Sequence, residues 1–205
     1  LIPGKYTSEK TIEVLKNFLS IEMSKGVVNA KDTVNFIGNR IGCFFMLKGL
    51  YEGKLARKNG LTIEEIDGLL SKPIGLPPTG LYGLIDLIGL DVMYSVGKNL
   101  EVNLPKDDAG LKYTSLPEEE YEMYQNGQLG RKAGGGFYRM NMSPNGEKVK
   151  EFYDTTSKAW HPLKRININF SDDLIFSHSP QGNLLWNIMG STLLYAADLV
   201  PEIAD

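Results

Sequence analysis

A broad apolar stripe at helical spacing constrains the middle of this chain more than any other feature. Phe36, Ile37, Ile41, Phe44, Phe45, Leu47, Leu50 and Tyr51 share one face when the chain from Asn35 to about Lys58 is wound as a helix. Gly38, Gly42 and Gly49 interrupt that helix, each at a cost of ~1 kcal/mol relative to alanine. Three such costs point to the close approach of another backbone or a ligand, with tight helix packing the preferred reading for Gly42 and Gly49. Thr62-Ile63-Glu64-Glu65 is a capping box that starts a second helix carrying Ile66, Leu69 and Leu70, which Pro73 ends. After a turn-rich loop from Leu76 to Gly80, a third helical region covers Leu81 to Asn99. It is so uniformly apolar that burial on most faces is expected. Ser115-Leu116-Pro117-Glu118 marks another helix start, with Ser115 as cap and Gly127 as stop. The fold class is mainly α.

The flanks read differently. Thr7 or Ser8 caps a first helix with Glu9 in its first turn and Ile12, Leu15, Phe18, Leu19 and Met23 at helical spacing. Val27 to Ala30 follows as a short strand, closed by Lys31-Asp32. One helix and one strand cannot form a domain, so residues 1–33 read as the tail of an α/β domain whose other strands are elsewhere. Ser143-Pro144-Asn145-Gly146 is a turn, and Arg165 to Phe170 alternates weakly, so 141–179 reads as a linker with little core. Helical spacing returns at Leu184, Leu185, Ile188, Leu193, Leu194, Ala197 and Leu199. This last stretch echoes the first long helix: Asn187 sits where Asn39 does, and Pro201 to Asp205 faintly repeats Thr62 to Asp67.

Charge excludes one class of partner. The net charge is −3 with acids and bases mixed along the chain, whereas a nucleic-acid surface needs clustered Lys and Arg. A single cysteine, Cys43, fits a reducing, cytoplasmic setting, and its apolar surroundings predict a buried, inert thiol. No apolar stretch approaches the ~20 residues that span a bilayer. The start, Leu1-Ile2-Pro3-Gly4, has neither an initiator methionine nor a signal-peptide pattern and reads as cut from something longer.

Three blocks recur in a known order and spacing. They are Asn35-Phe36-Ile37-Gly38-Asn39-Arg40; then Pro77-Pro78-Thr79-Gly80 running into Leu84-Ile85-Asp86-Leu87-Ile88-Gly89-Leu90-Asp91; then Gly127-Gln128-Leu129-Gly130-Arg131-Lys132-Ala133-Gly134-Gly135-Gly136-Phe137-Tyr138. Together they resemble the helical C-terminal domain of the 3-hydroxyacyl-CoA dehydrogenases, of the 6-phosphogluconate dehydrogenase C-terminal-like type. The resemblance implies a fragment of an NAD-dependent oxidoreductase of fatty-acid β-oxidation, with the acyl-CoA as substrate. It divides the chain into the tail of an NAD-binding α/β domain (1–33), a first helical copy (34–140), a linker (141–179) and the opening of a second copy (180–205), since multifunctional members carry two copies. One departure is Leu81, where the family has a second proline after Pro78-Thr79-Gly80. It alters the helix start without undermining the fold.

Asn39 is the candidate catalytic residue. Its amide offers both donor and acceptor, which suits holding a substrate oxygen while a separate base moves the proton. By resemblance, the asparagine of this Asn-Arg motif lies against the catalytic histidine and the reacting acyl group. The competing reading has Asn39 bonding backbone at the start of its helix. Arg40 is expected in an ion pair or domain packing, with Asp86 or Asp91 as partner, and Asp86 as a cap or salt-bridge residue rather than a base. Gly130 to Gly136 has no preceding strand and no following Lys-Ser or Lys-Thr, so it fails as a phosphate loop. The family carries this segment as a conformational lock on which Phe137-Tyr138 pack back. His161 and His178 have no metal-ligand spacing and do not match the family's histidine motif. No Gly-x-Gly-x-x-Gly follows a strand, so no cofactor or metal ligand is assigned in this chain, and NAD belongs to the longer parent. The apolar faces near residues 8–30 and from Leu184 to Leu199 predict self-association as a homo-oligomer. A non-catalytic assembly module is the alternative function.

Overall fold

The computed structural model describes residues 1–164, 166 and 168–204. In chain order the elements are α1 (Glu9–Asn17), α2 (Gly38–Lys58), α3 (Ile63–Leu69), α4 (Gly80–Ile88), α5 (Leu90–Asn103) and α6 (Glu118–Gln125). Strands β1 (Tyr138–Met142), β2 (Lys148–Asp154) and β3 (Ala159–Pro162) come next, then α7 (Pro180–Leu185) and α8 (Ser191–Asp198). The chain is mainly α, as its periodicity predicts. It forms two compact units: Leu1–Gly42 with Thr192–Asp205, and Cys43–Ser191.

In the first unit, Ser8 caps α1 by accepting from the Thr11 N–H at 3.2 Å, and a π-helical turn, Phe18–Glu22, extends the helix. The apolar stripe of α1 is mostly exposed. The short strand expected over Val27–Ala30 is extended chain instead, with Leu1 as its neighbour. Leu1 N donates to Val28 O at 2.6 Å and Ala30 N to Leu1 O at 2.8 Å. The end of the chain closes on this segment through Lys31 N to Ile203 O at 3.0 Å, with Tyr195, Leu199 and Ile203 buried. So part of the face expected to lack a cover is covered within the unit, whereas Leu193 and Leu194 stay exposed.

The long helix starts at Gly38, three residues later than its apolar spacing predicts, because Asn35 and Phe36 take left-handed backbone at φ 60° and 54°.

The second unit has its core around Leu47, Leu50, Ile66, Leu69, Leu81, Ile85, Leu90 and Met93, all almost fully buried. Thr62 and Glu65 make the predicted reciprocal capping box. The apolar region expected as one helix is two, α4 and α5, bent by 87° at Gly89, whose φ of 108° no helix accommodates. Ser115 does not cap α6. Pro117 stands at that position, and the Ser115 carbonyl accepts from the Tyr51 hydroxyl at 3.0 Å. Arg57 ties α2 to α6 through Glu119 at 2.9 Å and Glu120 at 3.1 Å.

The stretch expected as a linker carries regular structure, a sheet and then a 3₁₀ turn, Asp172–Phe176. β1, β2 and β3 form an antiparallel meander in that order, with Tyr138 opposite Phe152 and Tyr153 opposite Trp160. The alternation read from Arg165 to Phe170 lies partly outside the described residues. Among the described residues no single helix is long and apolar enough to cross a membrane.

The glycines of α2 and α5 separate cleanly. A methyl group at Gly49 runs into the Leu81 side chain, as packing predicts, but one at Gly42 meets nothing within 4 Å. One at Gly97 collides with the backbone carbonyl of Thr114, which cannot move aside as a side-chain tip can. Gly97→Ala is therefore expected to destabilise the protein by about 1–3 kcal/mol. Gly42→Ala is expected to stabilise it by up to ~1 kcal/mol. Urea unfolding of the two variants, read as opposite shifts of the midpoint, checks this.

Candidate functional site

Asn39 occupies the second position of α2 and is exposed. It borders a hollow of about 450 Å³ whose walls are largely apolar, from Leu1, Ile2, Val28, Phe36 and Ile37. No described residue bonds its amide. The bend of Asn35 and Phe36 leads into it. Asparagine tolerates left-handed backbone, but a bulky phenylalanine there is strained, and such strain clusters at sites where geometry matters. Asn35 contributes a second feature, a buried Nδ2 with no partner. The sequence had flagged Asn39 and missed Asn35. The asparagine before the helix was the available signal, since asparagine is enriched where φ is positive.

Arg40 does not pair with Asp86 or Asp91. It is buried, with Nε donating to the Tyr195 hydroxyl at 2.7 Å, Nη1 to Val34 O at 3.2 Å, and Nη2 3.7 Å from Glu202. Asp91 pairs with Lys132 instead. Asn187, the counterpart of Asn39 in the sequence echo, is committed: its Nδ2 donates to Glu52 Oε2 at 3.1 Å. His161 lies on β3 with Nε2 3.2 Å from Ser157 Oγ, and His178 precedes α7. Neither belongs to the unit that carries Asn39. Among the described residues no cluster of His, Cys, Asp or Glu has metal-site geometry. Cys43 is buried, and burial raises its thiol pKa, which disfavours the thiolate a nucleophile needs.

The second unit holds two buried carboxylates on the glycine-rich segment. Asp86 Oδ1 accepts from Phe137 N at 2.8 Å and Oδ2 from Tyr138 N at 2.7 Å. Asp67 accepts from Tyr82 N at 2.7 Å, Gly83 N at 3.0 Å and the Tyr138 hydroxyl at 2.9 Å. It thereby satisfies the free N–H groups at the start of α4, which Thr79 does not cap. The turn fits only glycine. A methyl at Gly130 would lie 2.5 Å from the Asp86 carbonyl, and one at Gly136 would overlap the Asp86 carboxylate. The segment packs back on the domain as the family resemblance implied, and the backbone N–H groups of Phe137 and Tyr138 are spent on Asp86 rather than free for a phosphate loop. Burial pushes Asp67 up to about 7, opposed by the Tyr82, Tyr138 and Gly83 donors. Burial likewise pushes Asp86 up to about 6, opposed by the two backbone N–H groups and by Arg131 and Lys150.

Comparisons with known proteins agree on one family. Residues 36–140 match the family model described as 3-hydroxyacyl-CoA dehydrogenase, C-terminal domain. A putative fatty acid oxidation complex trifunctional enzyme of Rickettsia prowazekii is 34% identical over 208 residues, covering 100% of this chain and 28% of that protein. A probable 3-hydroxyacyl-CoA dehydrogenase of Bacillus subtilis is 33% identical over 217 residues, covering 100% of this chain and 26% of that protein. The crystal structure of an (S)-3-hydroxybutyryl-CoA dehydrogenase from Ralstonia eutropha superposes with a TM-score of 0.52 at 29% identity, over 66% of this chain and 44% of that one. The chain thus spans about a quarter of the length of these curated relatives.

The raised pKa of Asp86 has a signed consequence. An unfolded aspartate titrates near 3.9, so between about pH 4 and about 6 the folded state binds more protons than the unfolded state. That contribution to stability is fully present below the unfolded value and is lost as pH rises through the folded one. Asp86→Asn cannot titrate, and it leaves one backbone N–H facing an amide N–H, a loss of about 1–3 kcal/mol. The stability gap between wild type and Asp86→Asn is expected to be widest near pH 4, to narrow as pH rises toward about 6, and to level off above it. Urea midpoints measured across this range check it; a gap that stays constant with pH contradicts it.

Proposed function

Because the chain belongs to the 3-hydroxyacyl-CoA dehydrogenase family through its C-terminal domain, we propose that it forms the substrate-side part of an enzyme that oxidises an (S)-3-hydroxyacyl-CoA to the 3-oxoacyl-CoA with NAD in fatty-acid β-oxidation, as a cytoplasmic protein. The observation that carries this reading is the uncommitted Asn39 amide on an apolar hollow, beside the strained Asn35-Phe36 turn. In this role Asn39 is the catalytic residue of the chain. Its Nδ2 donates to the substrate's C3 oxygen and fixes that oxygen for the base that takes the hydroxyl proton. The apolar walls offer the acyl group a hydrophobic surface to lie against. The glycine-rich turn does not fit the dinucleotide-binding loop: it is closed on Asp86 and runs into a short 3₁₀ turn, not a helix. NAD is therefore assigned to a part of the longer protein other than these residues.

A second reading keeps the family but not the chemistry. Val14, Phe18, Ile21, Leu193 and Leu194 are exposed apolar side chains of one unit, which supports an assembly surface for a homo-oligomer.

Two measurements test the first reading. In the full-length enzyme, Asn39→Ala is expected to lower kcat about a hundredfold, the loss typical of a bond used mainly in the transition state. Its melting temperature should stay near wild type, because the exposed side chain bonds no described neighbour. Wild-type turnover with reduced stability would move Asn39 to a structural role. The isolated chain is expected to turn over no acetoacetyl-CoA with NADH, which an absorbance assay of the pure protein checks.

A further inference from the structure

Beside the lock, the second unit carries a hollow of about 560 Å³ lined by Arg131, Gly134, Tyr138, Arg139, Met140 and Lys150. Three cations converge on it in a chain whose net charge is −3. The buried Asp86 carboxylate lies within electrostatic reach of Arg131 and Lys150, but its oxygens are spent on backbone N–H groups and bond neither cation. The adjacent Lys132 is taken by Asp91 at 2.6 Å, but the Arg131 guanidinium has no hydrogen bond or ion pair among the described residues. The Lys150 ammonium rests 4.4 Å from the centre of the Tyr138 ring, with no carboxylate bound to it. Arg139 uses only Nε, on Glu151 at 2.6 Å, and stacks on Trp160 at 4.2 Å, which leaves its terminal nitrogens available as donors. Among the described residues Glu151 is the one acid hydrogen-bonded to the group, through Arg139, and Asn141 shares it. Like charges gathered around a concavity repel each other unless an anion sits among them. The floor is rigid, since Tyr138 is held by both Asp67 and Asp86. The volume falls within the ordinary range for small-ligand sites.

We infer that this hollow binds an anion with two adjacent phosphates, held by Arg131, Arg139 and Lys150. The chemistry is that of charge-assisted donors converging on phosphoryl oxygens. It is independent of the dehydrogenase reading and of Asn39. The ligand is either a free polyphosphate or the diphosphate of a nucleotide whose base rests on the apolar edge at Met140.

Titration calorimetry of the chain with pyrophosphate, ADP and adenosine tests it. Saturable binding of pyrophosphate and ADP, but not adenosine, is expected, weakening as salt rises. Arg131→Gln and Lys150→Gln should each weaken binding roughly tenfold. Both side chains are exposed, so their melting curves should match wild type. Glu151→Gln, which removes the competing carboxylate, should tighten binding severalfold. Equal affinity for ADP and pyrophosphate supports the site and assigns a free polyphosphate; tighter ADP supports it and assigns a nucleotide. No saturable binding of either, or affinity unchanged in the Arg131 and Lys150 variants, overturns the proposal.

Discussion

The second unit is organised around a carboxylate placed where an apolar helix can least accommodate one. Asp86 lies in α4 with about 1% of its surface exposed. A bare charge there would be prohibitive, so its two oxygens must find donors. They find the backbone N–H groups of Phe137 and Tyr138, more than fifty residues along the chain. Tyr138 is then bonded twice, through its N–H to Asp86 and through its hydroxyl to Asp67. Asp67 in turn caps the start of the helix that carries Asp86. The circuit closes with Phe137 packed 4.6 Å from the ring of Tyr82, whose own N–H is on Asp67. Removing any one member leaves a buried donor or acceptor unmatched, which is why such networks act as units.

That circuit explains the glycine-rich segment better than any ligand does. The backbone must pass so close to Asp86 that side chains at Gly130 and Gly136 are excluded. The missing strand and missing Lys-Ser were enough to reject a phosphate loop from sequence, and the lock role came from family resemblance. The partners of the lock were not legible. Asp86 bonds backbone, and backbone donors carry no sequence signature. The same limit accounts for Arg40. An arginine and two aspartates in nearby motifs invited pairing, but the tyrosine and glutamate that hold Arg40 lie some 155 residues away or more.

Helices were legible where a period and a cap coincided, as at Ser8 and at Thr62 with Glu65. The sheet was not. Its hairpin turn, Ser143 to Gly146, was recognised, but the strands on either side are short and half-exposed, so their alternation carries little hydrophobic contrast. Leu81 to Asn99 failed for the opposite reason. A nearly all-apolar run has no stripe to interrupt, and Gly89 alone marked the 87° bend.

At Asn39 the sequence supplied a residue type and a motif, and the fold supplies a direction. Successive residues on a helix project about 100° apart. Arg40 is drawn inward by Tyr195 and Val34 until it is about 1% exposed. Asn39, one position earlier, is thereby turned outward onto the apolar hollow. The left-handed pair Asn35-Phe36 delays the helix to Gly38, which keeps Asn39 within the first turn. The neighbouring arginine, read from sequence as an ion-pair or packing residue, thus positions the asparagine through its own burial. The two residues divide the work: Arg40 anchors the start of the helix, and that anchor aims Asn39.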